Sequence, residues 1–276
     1  MSKPYHIPVL LHQSIQSLIT NPSGIYVDAT FGGGGHSREI LNRLKPDAKL
    51  FAFDQDKDAG QNKIDDTRFH FIPHNFRYIQ KFLRMAEIRE VDGILADLGV
   101  SSHQFDEAER GFSIRNNAPL DMRMDNKTEV SAKTVVNQYS EEQLQHMFSA
   151  HAELRNAKQL AHAIVEQRKV NAIETTFDLL RIAEKVMKGE RHKYAAQVFQ
   201  AIRIEVNDEM GALKEMLLSA NQLLKPGGRL VVISYHSLED RIVKNIIKTG
   251  NAEGIEEEDI MGRKKKYFIN ITKKPV

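Results

Sequence analysis

The chain has 276 residues, 41% of them apolar, enough to bury a core for one large domain or for one domain with a second inserted in it. Its 39 basic and 37 acidic residues leave a net charge of +2, which neither demands nor excludes a nucleic-acid partner. The absence of cysteine rules out disulfides, thiolate nucleophiles, zinc–thiolate sites and iron–sulfur clusters. No stretch approaches the roughly 18 consecutive apolar residues of a membrane span. Met1 to Leu11 lacks the basic, apolar and small-residue order of a signal peptide, so the expectation is a cytoplasmic protein without a membrane partner.

Residues 24 to 100 alternate short apolar runs with helical stretches, the pattern of a parallel βαβ sheet. Gly24 to Thr30 reads as a first strand, Lys49 to Asp54 as a second, Phe69 to Pro73 as a third and Val91 to Leu98 as a fourth. A helix carrying Ile40, Leu41 and Leu44 follows the first. From Phe105 to Arg203 strand signals vanish and helix signals accumulate. Ser140 and Gln143 form a capping box ahead of Leu144, Met147 and Phe148. A second helix after Glu153 buries Leu160 and Ile164, and a third runs from Thr176 through Leu179, Leu180, Ala183, Val186 and Met187. The α/β pattern resumes with a helix bearing Met210, Leu213, Met216, Leu217 and Ala220. The phrase Leu-Lys-Pro-Gly-Gly then leads into a fifth strand, Arg229 to Ser234. The tail passes from Glu256-Glu257-Glu258-Asp259 into Arg263-Lys264-Lys265-Lys266; a solvated loop is the plainer reading and a phosphate-contacting arm the sharper one.

Chemistry concentrates at the strand ends. Asp28-Ala29-Thr30-Phe31-Gly32-Gly33-Gly34-Gly35-His36-Ser37 joins the first strand to its helix, and four glycines let a backbone turn tightly against a ligand. Asp54 ends the second strand about 20 residues beyond Gly34, where an acid accepts hydrogen bonds from ribose hydroxyls; Asp56 is its rival. The Pro-Gly-Gly turn into strand five separates a methyltransferase from a dinucleotide oxidoreductase, as does the missing second nucleotide half. Asp97-Leu98-Gly99-Val100-Ser101-Ser102-His103-Gln104 lies at the carboxyl end of strand four, where open α/β sheets place ligands.

Together with Glu109-Arg110-Gly111-Phe112-Ser113, Pro119-Leu120-Asp121-Met122-Arg123-Met124-Asp125, Ser234-Tyr235-His236-Ser237-Leu238-Glu239-Asp240-Arg241 and the opening His6-Ile7-Pro8-Val9-Leu10, this block closely resembles the RsmH (MraW) family of bacterial ribosomal RNA cytosine-N4 methyltransferases. The resemblance runs from residue 6 to about residue 274. It implies a Rossmann-like class I methyltransferase sheet domain (1–104 and 206–276) with an inserted all-helical domain (105–205) that recognises RNA. The substrate it implies is 16S ribosomal RNA within the small ribosomal subunit or a late assembly precursor. It further implies contacts to S-adenosylmethionine from Gly34, Gly35, His36, Asp54, Phe76, Asp97 and Gln104. No metal is implied. The acceptor for the N4 proton is Asp97 or a backbone carbonyl of Leu98 to Ser101. His236, Glu239, Asp240 and Arg241 are open between binding RNA and capping a helix, and Arg123 is similarly open. Where many family members carry a His-Pro-Ala-Thr-Arg-like stretch, this chain has Lys193-Tyr194-Ala195-Ala196-Gln197 and lacks that arginine. Carbon-5 methylation of cytosine needs a cysteine thiolate, which leaves direct attack by an amino or a hydroxyl group; of these the resemblance implies the N4 amino group.

Overall fold

The computed structural model describes residues 8–101, 104–105, 107–258, 262, 267–272 and 276. The elements in chain order are α1 (Leu11–Leu18), β1 (Ile25–Asp28), α2 (Gly35–Arg43), β2 (Lys49–Phe53), β3 (Phe69–Ile72), α3 (Ile79–Met85), β4 (Val91–Asp97), α4 (Ala132–Gln138), α5 (Glu141–Ala152), α6 (Ala157–Val170), α7 (Thr176–Val186), α8 (Arg191–Asn207), α9 (Glu209–Leu223), β5 (Leu224–Ile233) and α10 (Ser237–Thr249). They divide into two compact units, residues 1–99 with 210–276, and residues 100–209. Among the described residues no helix is long and apolar enough to cross a membrane.

The first unit is built on one parallel sheet in the order β3-β2-β1-β4-β5, the Rossmann-like α/β arrangement that was expected. Its inner strands are apolar throughout because helices cover both faces: β2 buries Leu50, Phe51, Ala52 and Phe53, and β4 is buried from Val91 to Ala96. On one face Ile79, Leu83, Leu213, Met216, Leu217 and Ala220 pack against Val27, Phe51 and Ile94; on the other, Ile15, Leu18, Ile40 and Leu41 pack against Tyr26, Leu50 and Leu95. The strand order reverses between β1 and β4, and such a switch point opens a crevice at the carboxyl ends of the strands.

Strand β5 begins earlier than the sequence suggests. Leu224 already pairs with Val91, the register then jumps, and Arg229 pairs with Gly93. Lys225-Pro226-Gly227-Gly228 is therefore an excursion within the strand. Asp92 fixes that end: its carboxylate accepts from Lys225 Nζ at 2.7 Å and from the Ile25 N–H at 2.9 Å. Helix α2 stops at Arg43, with Leu44 as its extended C-cap, and α7 stops at Val186, which leaves Met187 outside the helix and exposed.

The second unit is helical, and among the described residues its one pairing of extended backbone is the isolated bridge between Pro119 and Thr175. The capping box of α5 forms as expected, with Ser140 accepting from the Gln143 N–H and Gln143 reaching back to the Ser140 N–H. Leu144, Met147, Phe148, Leu160, Ile164, Leu179, Val198, Phe199 and Ile202 make its core. Helices α4 and α8 have no counterpart in the sequence reading. The loop before α4 is organised by arginines. Arg110 donates to the carbonyls of Arg123 and Met124, and Arg123 grips both oxygens of Asp121 at 2.8 and 2.9 Å and donates to Thr128 O. Arg123 is a scaffold for its own loop.

Candidate active site

Three carboxylates and a histidine gather where β1, β2 and β4 end, all within the first unit. Asp28, the last residue of β1, is fully buried; its Oδ2 accepts from Ser37 Oγ at 2.6 Å and its Oδ1 from the Thr30 N–H at 3.1 Å. Burial raises its pKa, against the lowering effects of His36, Ser37 and Thr30. Thr30 also accepts the N–H of Asp97 on its hydroxyl at 2.7 Å, tying the end of β1 to the end of β4.

Asp54 follows β2 and serves the glycine loop directly. Its Oδ2 accepts from the Gly32 N–H and its Oδ1 from the Asp56 N–H, both at 2.8 Å. Burial dominates over these bonds and pushes its pKa up to about 6, with Asp56 and Asp28 adding repulsion. This carboxylate therefore also pins the glycine loop. Its rival Asp56 is buried and accepts from the Asp58 N–H at 3.1 Å, at the start of the 3₁₀ turn Asp58–Asn62.

The loop is further held by Arg38, which donates to Gly33 O at 2.7 Å, and by Asn62, which donates to Gly32 O at 3.2 Å. Gly34, the N-cap of α2, has φ +76°, and a Cβ there would stand 2.9 Å from both the Phe31 ring and the Arg38 guanidinium. Only glycine fits. Gly35 and His36 open the helix. His36 is 4% exposed; its Nδ1 lies 3.7 Å from Asp97 Oδ2, and its Nε2 has no hydrogen-bond partner among the described residues.

Asp97 ends β4 with its carboxylate partly open, 22% exposed. Its Oδ1 accepts from the Tyr235 hydroxyl at 2.8 Å. Burial raises its pKa, reinforced by Asp28 and Glu239 and opposed by the Tyr235 bond and His36. Burial and the neighbouring Asp97 charge likewise push the Tyr235 phenol up, so it stays a donor. Phe76 is half-buried in the core beneath β2 and opens a 3₁₀ turn capped by Asn75, whose amide donates to Gln55 Oε1 at 2.8 Å, next to Asp54.

Gln104 lies in the second unit, buried, where its Oε1 accepts from the Ser101 N–H at 3.0 Å. His236 caps α10 through Nδ1, accepting from the Glu239 N–H at 3.4 Å, while its Nε2 sits 3.3 Å from Glu239 Oε1. Glu239 is 2% exposed and accepts from the Tyr235 N–H at 2.8 Å. Asp240 pairs with Lys244 on the exposed face of α10. This segment thus shapes its own turn. The basic run Arg263–Lys266 and the motif residues His6, Ile7, Ser102 and His103 lie outside the described residues.

Gly34, Gly35, His36, Asp54 and Asp97 thus converge at the switch point, with Phe76 tied to the segment after β2. The sequence reading missed Tyr235, Asp28 and Thr30 as parts of the site. Asp28 had a visible signal, a lone charge inside the apolar run Ile25-Tyr26-Val27-Asp28-Ala29. Tyr235 stood only as one residue of the Ser234–Arg241 block; its tie to Asp97 was not legible, since the partner lies 138 residues away and the pairing of β4 with β5 brings them together.

A protein of Christiangramia forsetii called ribosomal RNA small subunit methyltransferase H is 58% identical over 259 residues, which cover 94% of this chain and 86% of that protein. One of the same name from Phocaeicola vulgatus is 55% identical over 273 residues, covering 99% and 90%. The sequence model of the MraW methylase family matches residues 3–276. With both a family match of that extent and relatives of that identity, the chain belongs to the MraW methylase family.

Proposed function

We propose that this chain transfers the methyl group of S-adenosylmethionine to the N4 amino group of a cytosine in the decoding region of 16S ribosomal RNA. It acts in the cytoplasm, on the small subunit or a late assembly precursor. Asp97 carries the reading: a half-open carboxylate at the switch point, with one oxygen held by Tyr235 and the other without a hydrogen-bond donor among the described residues. The names borne by the relatives supply the RNA.

The residues present suit an adenosyl cofactor. Gly34 keeps the loop backbone approachable where a side chain would collide, and Asp54 retains lone pairs beyond those given to Gly32 and Asp56 for two ribose hydroxyls. His36 Nε2 is a buried polar atom still wanting a partner. Phe76 would lie toward the adenine, and Gly35, Asp97 and Gln104 complete the proposed contacts. When bound, S-adenosylmethionine supplies a methyl group on a cationic sulfur, open to in-line displacement.

The protein's task is to prepare the nucleophile. The N4 lone pair of cytosine is delocalised into the ring, so the amino group must be aligned with the methyl group and relieved of a proton as it attacks. Asp97 Oδ2 is the proposed acceptor of that N–H, and a proton affinity raised by burial suits it to the role. Tyr235 fixes the other oxygen and so the plane of the carboxylate. A paired cytosine must leave its stack to reach such a site. The helical unit, residues 100–209, is proposed to supply contacts to the RNA.

The test is transfer by the purified protein to small-subunit ribosomal RNA or subunits, followed by digestion to nucleosides and mass spectrometry. N4-methylcytidine is expected. Recovery of 5-methylcytidine or a 2′-O-methylated nucleoside would overturn the mechanism.

A further inference from the structure

Among the described residues, Tyr235 is the one large aromatic at this site that remains open. Its residue is 54% exposed, although its hydroxyl is bound to Asp97 Oδ1 at 2.8 Å and its N–H to the buried Glu239 carboxylate at 2.8 Å. Beneath the ring lies Gly99, with φ +95°; a Cβ at that position would meet the ring at 3.4 Å. The side chain is thus held at the hydroxyl, at the backbone and along one side, yet it keeps its remaining surface open beside the carboxylate. An aromatic ring left open to water and fixed in place is a stacking platform, because every base offers a π-face and the ordering of the ring is already done.

We infer that Tyr235 is the residue on which the target cytosine stacks, its ring receiving the base while its hydroxyl orients Asp97 toward the amino group. The inference rests on the proposed methylation of a cytosine at Asp97. It divides the side chain into two separable functions. The ring determines how well the RNA is held, and the hydroxyl determines how fast the held base reacts.

Two substitutions separate them. Tyr235→Phe keeps the ring and removes the donor, so kcat should fall while KM for the RNA stays within about twofold of the parent. Tyr235→Leu removes the π-face as well, and KM should rise by about 5- to 150-fold, the range for loss of one base–aromatic stack. Cofactor affinity by calorimetry and the melting temperature, measured on both variants, establish that the fold is kept.

A direct readout comes from the composition. The chain contains no tryptophan, so Tyr235→Trp installs a single indole at the platform. Adding a small-subunit RNA fragment with S-adenosylhomocysteine should quench its fluorescence saturably, with binding followed in parallel by filter retention. Retained RNA without quenching would overturn the platform, as would a Tyr235→Phe variant whose KM rises as far as that of Tyr235→Leu. The failure of the parent protein to methylate the RNA would instead defeat the proposed function, which keeps the two outcomes distinct.

Discussion

Replacing Asp54 by alanine should weaken cofactor binding far more than it weakens the fold. The charged carboxylate is destabilising in the native state. A pKa raised from 3.8 to about 6 means that the folded chain holds the proton more tightly than the unfolded one, so stability falls as pH rises through that window. At neutral pH the full cost of about 3 kcal/mol is present, and Asp54→Ala removes it. Against that gain, the Gly32 and Asp56 N–H groups each lose an acceptor, at about 1–3 kcal/mol apiece if water does not replace it. These terms oppose one another, so the melting temperature should move by only a few degrees. The cofactor term has no such offset: two charge-assisted bonds to the ribose are worth roughly 1.5–3 kcal/mol each, which corresponds to a Kd raised roughly 10²- to 10⁴-fold. Isothermal titration with S-adenosylhomocysteine, alongside calorimetric melting, measures both quantities. A folded variant whose Kd stays within threefold of the parent would refute the ribose assignment and turn attention to Asp56.

Further outcomes follow from the same geometry. Cofactor affinity should fall roughly tenfold between pH 7.5 and pH 5, since Asp54 with a pKa of about 6 protonates over that interval; Asp54→Ala should flatten the profile, and an unchanged slope would place the titrating group elsewhere. Asp97→Asn keeps an oxygen for Tyr235 but removes the proton acceptor, so methyl transfer should drop at least about 100-fold while the cofactor Kd changes by less than about tenfold, as single-turnover kinetics and calorimetry would report. Reversing charge at the exposed Arg155 or Lys158 should weaken RNA binding and lower its salt dependence by about one ion each, without altering cofactor affinity. Arg168 is a poorer choice for that test, because its guanidinium donates to Val136 O at 2.9 Å and its loss would disturb the helical unit itself.

The strands were legible because a parallel sheet covered on both faces needs continuous apolar runs, and the four runs before residue 100 each end within two residues of the observed strands. The start of α5 was legible for a local reason, the Ser140–Gln143 box. Helix α4 also has a box, but its second partner is Thr134 and not a Glu or Gln, which hides it from the usual pattern. Helix α8 opens with Arg191-His192-Lys193 and then buries Tyr194, Ala195, Val198, Phe199, Ala201, Ile202, Ile204 and Val206. Burial on nearly every side leaves no single apolar stripe to read. The placement of the glycine loop, Asp54 and Asp97 at strand ends was legible in the sequence. The bond between Tyr235 and Asp97 was not, because it depends on which strands become neighbours, a property of the sheet and not of any window of sequence.

Hydrogen-bond accounting distinguishes the work proposed for the three strand-end carboxylates. Asp28 has both oxygens engaged, by Ser37 and Thr30, and is wholly enclosed, so it can only brace the loop. Asp54 also has both oxygens engaged by N–H groups, but it is only half-buried and keeps lone pairs directed away from those donors, which suits a neutral hydroxyl ligand. Asp97 alone has an oxygen with no hydrogen-bond donor among the described residues, its Oδ2 facing only His36 at 3.7 Å. A group that must accept a proton from an incoming amine needs that vacancy, and needs its charge raised in energy without being neutralised by a neighbour. Burial supplies the first half of that condition. The Tyr235 hydroxyl supplies the second, since a phenol whose pKa is itself pushed up orients the carboxylate by donating a hydrogen bond without transferring its proton.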